Sequence, residues 1–94
     1  MEINMAVDLA IDMIIEDLQM IEPKLSAFEN KYKLLSPYFY KIYQSGKFEE
    51  HPDFVDWAGL YQIKLKRIER YEQIFSQVLD NLPLHQPIKA EEIL

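Results

Sequence analysis

Apolar residues recur along the first third of the chain in steps of four and three: Val7, Ile11, Ile14, Leu18, Ile21, Leu25, Phe28, Tyr32 and Leu35. That alternation keeps one stripe of a helix facing a neighbour, as in a coiled coil or a bundle. The phase holds across Pro23, which occupies an outward position of the repeat. The pattern predicts one long helix over residues 3–34, kinked or restarted at Pro23, where the ring removes a backbone hydrogen bond. Ser36 followed by Pro37 reads as an N-cap and first helical position. It opens a short aromatic helix over 37–45, which Gly46 would end in a left-handed conformation. A third helix over 53–82 repeats the alternation through Phe54, Ala58, Tyr61, Leu65, Ile68, Phe75, Leu79 and Leu82, broken only by Glu72. Pro83 and Pro87 then stop regular structure. The expected organisation is a single helical domain over 1–82 and a flexible C-terminal tail over 83–94. The expected fold is all-α: a long antiparallel helical hairpin with a short aromatic middle helix, assembling into a dimeric helical bundle.

The dimer expectation comes from a second stripe on each long helix. Ile3, Ala6, Ala10, Met13, Met20 and Ala27 flank the first seam; Trp57, Leu60, Tyr71, Ile74 and Val78 flank the other. At 100° per residue the combined arc spans roughly 160°, wider than a two-helix contact needs. Asp17 and Lys24 interrupt one second stripe, Lys64 and Arg67 the other. Either the short helix and the tail cover these stripes, or another chain does. The arc is long and the covering segments are short, which favours another chain. Met13, Met20, Trp57, Leu60, Tyr71 and Ile74 are therefore candidate partner-binding residues. In the tail, Leu84 and Ile88, with Ile93 and Leu94, would order only on a partner. Gly59 sits inside a helix, where Gly costs roughly 1 kcal/mol relative to Ala. It calls for a close neighbour: the short aromatic helix packed on Ala58 and Gly59, or a partner's helix or ring.

Composition narrows the class. With 49% hydrophobic and 28% charged residues and only 2 Gly in 94 positions, the chain is too apolar for disorder and too poor in Gly for a barrel. It has no Cys, hence no disulfide and no thiolate metal site, which suits a reducing cytoplasm. Acids at Asp8, Asp12, Glu16 and Asp17 break up the apolar N-terminal region, so neither a signal peptide nor a membrane span is expected. A net charge of -6 disfavours a nucleic-acid partner. Charge comes in blocks. Residues 1–30 hold seven acids against Lys24, residues 31–48 hold four Lys and no acid, and residues 49–57 hold four acids and no base. Such blocks predict charge-complementary helices side by side. Asp8, Asp12 and Glu16 follow one another at four-residue spacing and form one line on the first helix, with Asp17 beside it.

Catalytic chemistry finds little purchase. His51 and His85 are far apart, and without Cys they make no zinc site. Neither has a Glu three residues before it, as a di-iron bundle requires. There is no Gly-rich phosphate loop. Asp53-x-x-Asp56 and Glu69-x-x-Glu72 are carboxylate pairs of the kind that hold magnesium in helical pyrophosphatases. Here they lie on one helix 16 residues apart, roughly 24 Å, and cannot share an ion within one chain. His51, before Pro52 and Asp53, reads as a helix cap. The chain is expected not to be an enzyme, with no catalytic residue, metal or cofactor.

Phe28-Glu29, Lys31-Tyr32, Ser36, Phe39-Tyr40, Gly46, Asp53-Phe54 and Trp57-Ala58-Gly59-Leu60-Tyr61 come in a fairly specific order and spacing. Over residues 28–61 the chain resembles small archaeal and bacterial helical proteins of toxin–antitoxin-like gene pairs that share the Trp-Ala-Gly-Leu-Tyr motif. It departs from them in lacking a Gly after Tyr32 and in its longer first helix. The resemblance implies an antitoxin-like, protein-binding role: the neutralising partner of a small nuclease-like toxin. Asp8, Asp12, Glu16 and Asp17 would then fill the toxin's basic groove. The alternative is a structural homo-oligomeric helical bundle without catalytic activity.

Overall fold

The computed structural model describes residues 5–80. They form three helices: α1 (Met5–Tyr32), α2 (Ser36–Gln44) and α3 (Pro52–Asp80). No strand occurs among the described residues, and no described helix is long and apolar enough to cross a membrane. The expected tail, with Leu84 and Ile88, lies outside them.

α1 runs through Pro23 as one helix. Pro23 is exposed, so the carbonyl it leaves unpaired one turn earlier faces water. Ile21 on one side and Leu25 on the other are 6% and 1% exposed, and their burial holds the helix across the proline. The end of α1 is closed by Lys33, whose φ is +55°. The Leu34 amide then donates to the Glu29 carbonyl (3.3 Å), the long bond of a Schellman turn. Glycine would adopt this φ without steric cost; lysine does so at a cost of about 1 kcal/mol.

Ser36 does not cap α2. The cap is Leu35, in extended conformation and with no side-chain cap bond; its carbonyl accepts from the amides of Tyr38 (3.1 Å) and Phe39 (2.9 Å). Ser36 lies one residue inside and is buried, for a reason taken up below. Gly46 closes α2 at φ +74°, as its position predicts. His51 opens α3: its Nδ1 accepts from the Asp53 amide (3.1 Å), and its carbonyl accepts from the amides of Phe54 and Val55.

α1 packs along α3, and α2 packs on α3. The charge blocks find one another as expected. Lys31 pairs with Asp53, Glu22 with Lys64 and Asp17 with Arg67, at 2.6, 2.7 and 2.8 Å. Residue numbers fall along α1 as they rise along α3. Asp17 and Arg67, two of the charges that interrupt the second stripes, thus satisfy each other.

The core is concentrated where all three helices meet. Ile21, Leu25, Phe39, Trp57, Ala58 and Tyr61 form its buried cluster, with Phe28, Tyr32, Phe48 and Phe54 packed against it. Trp57 and Phe39 are both 0% exposed and stack at 3.7 Å with nearly parallel rings. Phe28 and Tyr32 stack on the same indole at 5.6 and 5.8 Å.

This arrangement corrects the α3 seam. Leu65, Phe75 and Leu79 lie on the expected stripe yet are 42–49% exposed, whereas Ile74, expected beside it, is 4% exposed. Leu35, the last point of the α1 series, is also exposed. The cause is the length of α2. Nine residues cover only about 13 Å, so α3 is enclosed from two sides near Trp57–Tyr61. Beyond that, among the described residues, it faces α1 alone, on a different arc.

Candidate interaction surface

The residues singled out in the sequence separate into three sets. Trp57 and Ile74 are core residues and cannot meet a partner directly. Trp57 is held in place by chemistry as well as packing. Its indole N–H donates to the Ser36 hydroxyl at 2.9 Å, in a buried site. The Ser36 amide in turn donates to the Glu29 carboxylate at 2.7 Å, which places a negative charge at the start of α2, where the helix dipole favours it. Ser36 is therefore a buried acceptor for the tryptophan, and no buried side-chain polar atom among the described residues is left unpaired. Asp17, expected to face a partner, is engaged with Arg67.

Asp53 gathers a second polar cluster at the first turn of α3. One carboxylate oxygen accepts from the Lys31 ammonium (2.6 Å) and from the Tyr32 hydroxyl (2.5 Å). The bond from Lys31, then that from Tyr32, holds the Asp53 carboxyl below the usual carboxylate range. The same bonds to Asp53 raise the pKa of Lys31 and of Tyr32. The sign of the pH dependence follows. Asp53 stabilises the fold above about pH 4, and this contribution is lost as acid titrates the carboxylate below its folded value. Lys31 and Tyr32 stabilise it below about pH 10 and lose this as they deprotonate. Asp53→Asn is expected to flatten both limbs of a plot of urea midpoint against pH, most visibly at low salt, since the cluster is open to solvent. Unchanged limbs would show that the cluster does not couple to folding.

The third set is exposed. Asp8, Asp12 and Glu16 are exposed on α1, and no ion pair among the described residues involves them. Met13 and Met20 are 63% and 67% exposed, large values for methionine, with Leu9 at 57% on the same side. Tyr71 is 37% exposed and stacks on Phe75, and Leu60 is half-buried.

Leu60 belongs to a groove of which the helical repeats show only a part. Lys24, Ala27 and Phe28 of α1 and Val55, Asp56, Gly59, Leu60 and Ile63 of α3 line it. A methyl group built on Gly59 would meet nothing within 4 Å. Among the described residues neither the short helix nor any other segment packs on this glycine, so close packing of α2 against it is not its reason. Val55, Gly59 and Ile63 recur at four-residue spacing, a stripe that could have been read beside the main one. The stronger Trp57–Tyr61 pattern masked it. Compared with known protein families, with curated proteins and with solved structures, the chain matches none.

Proposed function

We propose that this chain is a protein-interaction module of antitoxin type, built on an antiparallel hairpin of α1 and α3 and acting by occlusion. The observation that carries this reading is the division of labour among the acids of the first helix. Asp17 and Glu22 face bases of α3, and Glu29 serves the start of α2. Asp8, Asp12 and Glu16 have no such duty among the described residues, and their spacing makes them a row of negative charge about 12 Å long. A basic groove that otherwise holds RNA is the complementary surface.

The resemblance over residues 28–61 supports this reading indirectly. Phe28, Tyr32, Ser36, Phe39, Phe54 and Trp57 are spent on the core, and Glu29, Gly46 and Asp53 on helix ends. The motif would define the scaffold, and partner choice would lie outside it, on the row of acids.

The test is co-expression with the product of the adjacent gene, followed by rescue and binding assays. Replacing Asp8, Asp12 and Glu16 with Asn, Asn and Gln is expected to abolish rescue while helicity and melting temperature stay unchanged. Association should slow as salt rises, because the Debye length falls from about 10 Å at 0.1 M to about 3 Å at 1 M. Undiminished rescue by the variant, or a neighbour that is harmless alone, would reduce the row to a solubilising face.

A further inference from the structure

The groove around Gly59 points to a second copy of this chain. We propose that the face of α1 and α3 turned away from α2 is a homodimer interface, giving a two-fold four-helix bundle in which α3 of one copy lies along α1 of the other. This specifies the partner within the protein-interaction reading, but uses residues other than Asp8, Asp12 and Glu16.

Three observations carry it. The first is the face itself. Residues two apart on a helix point to nearly opposite sides. Tyr61 and Leu65 line the groove beside α2, so Gly59 and Ile63 look the other way, beside Met20 and Ala27 of α1. Leu9, Met13, Met20, Val55 and Ile63 are 42–67% exposed there. From Leu9 to Ala27 the face is about 27 Å long, and two helices make it about 20 Å wide. That is the order of the 800 Å² or so that each partner buries in a stable interface.

The second is the helical glycine. Gly59 has open space before it, so its cost is not repaid by any contact among the described residues. A helix lying across it at close range would repay it.

The third is charge. Lys24 and Asp56 flank the groove from opposite helices, and neither takes part in an ion pair among the described residues. The pairs Lys31–Asp53, Glu22–Lys64 and Asp17–Arg67 set which residues of the two helices are level. A two-fold axis parallel to the helices keeps that register between copies. Lys24 of one protomer then falls within about one or two turns of its partner's Asp56, inside the reach of an extended lysine. Ala27 comes level with the partner's Gly59 region, and Met20 with that of Ile63. Symmetry makes each contact twice.

The experiment is light scattering and sedimentation of the full chain at micromolar to tens of micromolar concentration. The unmodified protein should be a dimer. Lys24→Glu and Asp56→Lys should each weaken dimerisation at least about tenfold, since each sets like charges opposite one another twice. Mixing the two variants should restore the dimer, because in the mixed pair both contacts are again of opposite sign. Gly59→Leu should give a monomer with native helicity, as the side chain has room in the single chain. A monomeric unmodified protein overturns the proposal. So does a mixture no tighter than its components. A monomer that loses stability on Gly59→Leu would place another segment of the same chain in the groove, and also overturns it. Rescue by the dimer-breaking variants would leave the acidic row standing; loss of rescue by the acidic-row variant leaves the dimer test untouched.

Discussion

Trp57→Ala is expected to cost about 3–5 kcal/mol, a large share of the roughly 5–15 kcal/mol that holds a domain folded. The indole is 0% exposed and is stacked by Phe39 from α2 and by Phe28 and Tyr32 from α1. Its removal leaves a cavity where all three helices meet, walled by rings too rigid to collapse into it. It also strands the Ser36 hydroxyl, its partner at 2.9 Å. Urea unfolding followed by far-ultraviolet circular dichroism gives the loss directly. A companion cycle separates packing from hydrogen bonding. Ser36→Ala alone should cost about 1–3 kcal/mol, since it leaves a buried N–H unpaired. In a Trp57→Phe background the same change should cost much less. A loss below about 1 kcal/mol for Trp57→Ala would mean that the three helices do not close on this ring.

The second large effect sets two leucines of one repeat against each other. Leu25 and Leu35 both belong to the four-three series of the first helix, but are 1% and 58% exposed. Leu25→Ala should cost about 2–5 kcal/mol, the range for a buried leucine. Leu35→Ala should fall within about 0.5 kcal/mol of the unmodified protein. Denaturant midpoints of the two variants, at matched slope, test this. Equal losses would show that the repeat, and not the observed packing, decides burial.

The contrast marks how far periodicity reaches. A four-three alternation reports that a helix has an apolar stripe. It does not report where the neighbouring helix begins and ends. α1 kept its stripe through Ile14, Ile21 and Leu25 because α3 runs beside it throughout. α3 kept its own only in part past Tyr61, where Ile68 is half-buried but Leu65, Phe75 and Leu79 are exposed, because the short α2 does not extend along it. Ser36 departs from the local rule for a related reason. Ser before Pro is a cap by local rules, but the nearby indole made the hydroxyl more valuable as a buried acceptor. His51 and Gly46 kept their roles because a cap and a positive φ are settled within a few residues of chain.

The candidate surface residues divide in the same way. The row Asp8, Asp12, Glu16 was legible because four-residue spacing on a helix defines a line whatever lies around it. The stretch from Val55 through Gly59 to Ile63 was not. In sequence it is interleaved with Trp57, Ala58 and Tyr61, and only the docking of α2 decides which of the two sets is covered. By itself the sequence determined three helices, the parts that Gly46 and His51 play at helix ends, the complementary charge blocks and the acidic row, all consequences of local spacing and backbone chemistry. The tertiary structure alone decided that Trp57 and Ile74 are core, that Ser36 serves an indole, and that Gly59 faces open space. Burial depends on which helix lies across which, and that depends on contacts between residues far apart in the chain.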